Sequence, residues 1–233
     1  MAGIPYMVDF SSGFSSKGKI PWITLNDERV ADSQFSMDFI REKFNVRSFN
    51  QQLTAEQNAT ARALRKMAEE ELYWTMCSVT FGDDLSELER LLPYSGIKRF
   101  ITPRLLRFFI WRQMRGHGIG RHTPAEILSI AHADLNALSD YLGLKPFFFG
   151  DEPSEEDSAL FGVLAQIKWH MNGSPHQTWL TDEFCNLNAY CDRMKEKFWP
   201  DWLKRTSESD VIKTQTKIFG ANSKGIDVKL DWK

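Results

Sequence analysis

The sequence predicts an α+β protein: a small α/β lobe over residues 1–46, an all-helical domain over residues 54–204 and a tail over residues 205–233. Three observations carry this reading. β-prone runs crowd into the front of the chain. From Thr54 to Phe198 apolar residues recur at helical spacing with no convincing strand. Helix-capping signatures and Gly or Pro punctuate that second stretch.

At the front, Ala2-Gly3-Ile4-Pro5 has the pattern of a helix end, Gly supplying a left-handed stop with Pro just beyond. The pattern predicts that the chain opens in the middle of a domain. Tyr6 to Phe10 is a β-prone run, followed by a Ser/Gly/Lys loop over residues 11–19. Ile20-Pro21-Trp22-Ile23-Thr24-Leu25, a turn at Asn26-Asp27 and a strand around Arg29 to Ala31 predict a β-hairpin. Asp32 or Ser33 is placed to cap a helix from Gln34 to about Phe44.

Thr54-Ala55-Glu56-Gln57 is a capping box, and it opens a long helix reaching about Phe81. Further helices are predicted over Asp83 to Leu92, Pro103 to Met114, Thr123 to Leu142, Ser154 to Lys168 and Leu180 to Phe198. Phe147-Phe148-Phe149-Gly150-Asp151 leads into a second box, Ser154-Glu155-Glu156-Asp157. There the Ser154 hydroxyl accepts from the Asp157 amide while the Asp157 carboxylate reaches back to the Ser154 amide. Its expected role is structural. In the tail, Ile226, Val228, Leu230 and Trp232 alternate with charged residues, which predicts an edge strand.

The chain has 233 residues, a formal charge of -2 and a pI near 6.2, so nothing global draws it to nucleic acid or acidic lipid. A partner must be sought in local sites. Three cysteines, Cys77, Cys185 and Cys191, lack metal or CxxC spacing and read as reduced core thiols on helices. The start has no charged-then-apolar leader pattern, and no apolar run approaches the ~18 residues of a membrane helix. The cytosol is the default compartment. No metal-ligating, paired-carboxylate or nucleophile-elbow spacing stands out. In Gly116-His117-Gly118-Ile119-Gly120, His117 with Arg115 and Arg121 predicts a positively charged bend between helices, open to an anion or a partner's acidic group, and His117 and His122 are the one close histidine pair.

Several stretches together carry a family likeness: Ser15-Ser16-Lys17-Gly18-Lys19-Ile20-Pro21-Trp22, Val30-Ala31-Asp32-Ser33, Glu69-Glu70-Glu71-Leu72-Tyr73-Trp74, Met114-Arg115-Gly116-His117-Gly118-Ile119-Gly120-Arg121, Phe149-Gly150-Asp151 with its capping box, and Leu187-Asn188-Ala189-Tyr190-Cys191-Asp192-Arg193 running into Phe198-Trp199-Pro200-Asp201-Trp202. They resemble the glutathione-transferase fold and, within it, the failed axon connections family related to the metaxins. The resemblance implies a thioredoxin-like front lobe followed by the helical glutathione-transferase domain. It implies that the lobe's first strand and helix, where such enzymes keep the thiol-activating residue, are missing from this chain, so that no catalytic residue is expected. The missing strand would lie between Tyr6 to Phe10 and Trp22 to Leu25, and Tyr6 does not inherit the activating role.

The resemblance further implies that Pro21 is a cis-proline and that the Ile20 backbone pairs with the cysteinyl amide of glutathione. Asp32 and Ser33 would hold the γ-glutamyl end, and Lys17 or Lys19 would neutralise the glycyl carboxylate. The residues alone leave a plainer reading open, in which Asp32 and Ser33 only cap a helix and the lysines are solvated. Two functions stay open: a non-catalytic protein that binds a protein partner, linked through the family to axon development, or a glutathione-dependent transferase of detoxification, including cadmium response. Neither needs a metal. A homodimer is compatible with both.

Overall fold

The computed structural model describes residues 1–9, 13–18, 20–82, 84–92 and 95–202. The chain divides into two units, one taking in Met1–Ser48 and the other formed by Phe49–Pro200.

In the first unit, β1 (Trp22–Leu25) pairs antiparallel with β2 (Glu28–Ala31) in the register Trp22↔Ala31 to Leu25↔Glu28. Asn26 turns the hairpin at φ 54, a left-handed conformation that asparagine tolerates. An isolated hairpin is marginal in water. Here α1 (Ser33–Lys43) folds back on it, with the buried Ser36 hydroxyl donating to the Val30 carbonyl at 3.3 Å and Lys43 pairing with Glu28 at 2.7 Å. The run from Tyr6 is a correction: residues 6–9 form no strand, and Tyr6, Met7 and Val8 are exposed. A β-prone run becomes a strand only when a second one accepts its ladder bonds, and β1 and β2 pair with each other. Phe10 and the alternating tail from Ile226 to Trp232 lie outside the described residues.

The second unit is helical throughout. Thr54 caps α2 (Ala55–Met67) through the predicted box. The rod continues through a π-helical turn, Ala68–Leu72, into α3 (Tyr73–Thr80). The extra residue of that turn rotates the following face inward, and Trp74, Thr75, Met76 and Cys77 are all buried. A short α4 (Ser86–Leu91) precedes α5 (Ile97–His117).

Pro103 does not start α5, as its position had suggested, but sits buried in its second turn. A proline there withholds the N–H that would meet the Arg99 carbonyl; in the same turn the Arg104 guanidinium donates to the Phe100 carbonyl at 2.6 Å. After Gly118, at φ 118, a 3-10 turn Ile119–Arg121 leads to α6 (Pro124–Leu142). Gly120 is sterically required, because a Cβ there would lie 2.8 Å from the Arg115 nitrogen.

Then come α7 (Glu155–His170), α8 (Pro175–Asp182) and α9 (Cys185–Phe198). The single helix expected from Leu180 to Phe198 is therefore two. Ser174 caps α8, Pro175 occupies its first position, and the chain breaks where Phe184 becomes buried and donates to the Trp179 carbonyl at 2.8 Å. Ile127, Ala131, Leu135, Leu138 and Leu142 form the buried stripe of α6, and Leu160, Leu164 and Ile167 that of α7.

The start of α7 gathers this unit. Asp157 is fully buried, and its carboxylate accepts from the Ser154 amide (2.7 Å), the Ser154 hydroxyl (2.7 Å) and the Phe148 amide (3.1 Å). The Asp157 carbonyl accepts from the Tyr190 hydroxyl of α9 at 3.0 Å. Asn50 reaches the same turn, accepting from the Glu155 amide at 2.9 Å and donating to Glu156 at 2.7 Å. Asp157→Ala strands two buried amides, each worth about 1–3 kcal/mol. The expected loss is about 2–6 kcal/mol, above the roughly 0.5–2 kcal/mol of an ordinary cap. Equal denaturation midpoints for variant and parent would contradict the assignment.

Candidate functional site

The register of the hairpin brings the predicted site residues to one end of it. Because Trp22 pairs with Ala31, Ile20 and Pro21 on one strand lie beside Asp32 and Ser33 on the other. The Ile20-Pro21 bond is cis, as the resemblance implied. Ile20 is 68% exposed, and its backbone amide and carbonyl engage no partner among the described residues. They are available to an extended ligand backbone.

Asp32 stands at φ 91 and ψ 134, a region that residues with a Cβ rarely occupy. It is held there by α1: Asp32 Oδ1 accepts from the Gln34 amide at 2.9 Å and the Phe35 amide at 3.4 Å, and the Asp32 carbonyl accepts from the Ser36 amide. The plain capping role is thus realised. It uses one carboxylate oxygen and leaves Oδ2 for an ammonium group. Ser33 is exposed at the first position of α1, where its hydroxyl, at the positive end of the helix, suits a carboxylate. An amino-acid headgroup carries both charges.

Lys17 is drawn to this end as well. Its ammonium donates to the Ala31 carbonyl at 3.3 Å and lies 4.4 Å from the centre of the Phe35 ring. Lys19 lies outside the described residues. One residue of this end escaped the sequence reading: Gln34 keeps its amide oxygen buried with no donor among the described residues. Such an acceptor is costly unless a ligand or water supplies an N–H or O–H. Nothing in the sequence distinguishes Gln34 from any other polar residue in a first turn.

The other candidates are mostly absorbed by the fold. In the glycine bend, His117 packs on Trp74 at 5.5 Å and His122 lies 3.9 Å from Glu126, while Arg115 and Arg121 stay exposed. Burial pushes the Cys77 thiol up to about 11 and the Cys191 thiol up to about 12. Cys185 is exposed, which corrects its reading as a core thiol. Burial likewise raises the hydroxyls of Tyr73, Tyr141 and Tyr190 above their ordinary value. Among the described residues no group of three His, Cys, Asp or Glu side chains is arranged to hold a metal ion.

Residues 1–85 match the glutathione S-transferase N-terminal domain, and residues 131–194 match the glutathione S-transferase C-terminal domain. The hairpin end therefore falls inside the first match. The chain is 32% identical over 228 residues to Failed axon connections of Drosophila melanogaster, covering 91% of this chain and 54% of that protein. It thus spans about half the length of the fly protein. It is 29% identical over 195 residues to isoprene-epoxide–glutathione S-transferase of Rhodococcus sp. (strain AD45), with 79% of each chain covered. With Metaxin-2 of Mus musculus it shares 26% identity over 195 residues, covering 82% of this chain and 73% of the other.

The double use of Asp32 separates cleanly by substitution. Asparagine caps as well as aspartate, so Asp32→Asn should leave α1 protected from hydrogen exchange, whereas Asp32→Ala should cost about 1 kcal/mol and speed exchange in its first turn. Equal protection of that turn in the alanine variant and the parent would refute the cap.

Proposed function

Because the chain belongs to the glutathione-transferase-fold, metaxin-related family that includes failed axon connections, we propose that it is a binding protein that uses the hairpin end for glutathione or a like headgroup and engages a protein partner, without efficient transferase activity. One observation carries the second half of this reading. Glutathione transfer needs a donor that favours the thiolate, yet among the described residues every tyrosine and cysteine whose acidity the structure perturbs is shifted the opposite way, by burial. Cys77, Tyr190 and Cys191 pack the core, whereas Tyr73 is exposed and Tyr141 half-buried.

The first half rests on the hairpin end itself: an open backbone pair at Ile20, the spare Asp32 oxygen, the Ser33 hydroxyl and the nearby Lys17 ammonium. These supply hydrogen-bonding complements for an extended peptide with an ammonium-carboxylate end. By extension from the fly relative's name, the partner is one used in forming axon connections, met in the cytosol. A second reading is favoured by the rhodococcal relative, whose name states glutathione transfer to an epoxide and with which similarity extends over most of both chains. On that reading the chain is a detoxifying conjugase.

Retention on immobilised glutathione, together with conjugation of a chlorinated nitroarene and of an epoxide, distinguishes the two. The proposal predicts retention that Asp32→Asn abolishes, with turnover far below the roughly 1 per second at the low end of ordinary enzymes. Turnover at or above that rate would establish the conjugase. Failure of the parent chain to be retained would remove glutathione as the ligand.

A further inference from the structure

The overall charge of the chain is -2, but it is not evenly spread. Helix α5 contains Lys98, Arg99, Arg104, Arg107, Arg112 and Arg115 and no acidic residue. Its inner face is committed: Met114 is fully buried, and Ile110 and Trp111 pack against the cluster of Trp74, Cys77, Ile119 and Ile127. Trp111 also donates to the Phe81 carbonyl at 2.7 Å. Its outer face carries large apolar side chains open to solvent: Ile97 is 73% exposed, Phe100 53%, Ile101 46%, Leu105 52%, Phe108 63% and Phe109 56%.

These groups are ordered along the helix. Ile97, Ile101, Leu105 and Phe108 follow one another at spacings of three or four, and the same stripe continues into Arg112 and Arg115, both exposed. Lys98 and Arg99 stand exposed at the other end. Arg104 pairs with Glu89 at 2.8 Å, whereas Lys98, Arg99, Arg112 and Arg115 make no ion pair among the described residues. The result is a helix face whose mainly apolar middle is interrupted by the Glu89-paired Arg104 and which carries a basic group at each end. Six such side chains expose apolar surface on the order of several hundred Å², the upper range for a monomer with no partner there.

We propose that α5 is a membrane-surface helix, lying in the headgroup region of an anionic bilayer with Phe108, Phe109, Leu105 and Ile101 in the acyl boundary and the flanking Lys and Arg on the lipid phosphates and carboxylates. Basic ends with aromatic and aliphatic residues between them are the composition that binds this interface. The helix lies on the bilayer and does not span it, since no helix of the described residues is long and apolar enough to cross a membrane. A second copy fits less well. Paired antiparallel, Lys98 and Arg99 would meet the partner's Arg112 and Arg115; paired parallel, each basic end would meet its own kind, and like charges oppose both arrangements. An anionic surface neutralises all four at once.

The test is co-sedimentation of the full chain with vesicles of phosphatidylcholine alone and with about three-tenths phosphatidylserine added. The parent should pellet with the anionic vesicles, stay in the supernatant with the neutral ones, and be released by about 0.5 M salt. Phe108→Ser with Phe109→Ser, and separately Arg112→Glu with Arg115→Glu, should each weaken binding by about tenfold or more. All four positions face solvent, so circular dichroism and thermal midpoints should match the parent's. Absence of pelleting, equal pelleting with both vesicle types, or insensitivity to both variants would overturn the proposal. A parent that sediments as a dimer without vesicles, and that the phenylalanine variant makes monomeric, would assign the face to a second copy instead.

Discussion

The helical unit depends on one buried carboxylate. The Asp157 carboxylate accepts from three donors, two on Ser154 and one on Phe148. A buried acceptor of this kind is satisfied only while every donor stays in place. The turn after α6, the first turn of α7 and, through Tyr190, the middle of α9 are therefore fixed together. Asn50 fastens the segment before α2 to the same turn. Aromatic packing follows from this anchoring: the Phe148 ring meets Tyr190 edge-on at 5.1 Å and stacks with Tyr141 at 6.4 Å.

The first unit is built on a different principle. Its hairpin and single helix are held mainly by a backbone ladder, a helix cap and exposed ion pairs, each worth little in water. The residues with recognition chemistry sit at the end where Asp32 is held at positive φ, so a local strain and a candidate ligand site coincide. Binding sites commonly draw on low-stability parts of a fold carried by a stable frame. In the helical unit a similar division holds within α5, whose inner face belongs to the core while its outer face is exposed.

Much of this was legible in the sequence because local chemistry decides it. The boxes at Thr54-Gln57 and Ser154-Asp157 form as read, the turn at Asn26 is where it was expected, and the cis bond at Pro21 follows from the family likeness. The failures share a cause, which is that pairing and burial outweigh local preference. Residues 6–9 are β-prone but form no strand. Pro103 resembles a helix start but is accommodated in a second turn, and Phe184 breaks a periodic stretch because its own burial is worth more than continuing the helix. The Ser174-Pro175 start of α8 is a cap followed by proline. No local rule announces the π-helical turn at Ala68–Leu72, the orphaned oxygen of Gln34 or the basic apolar face of α5, which the near-neutral overall charge conceals.

The claim that the hairpin end binds without activating rests on the protonation state of a bound thiol. Titration of the thiolate ultraviolet absorbance of glutathione, bound to the chain at saturating protein, reads that state directly. The account predicts an apparent thiol pKa near that of free cysteine, about 8.5. A value lowered to about 7 or below would show that the chain stabilises the thiolate, and would contradict the account.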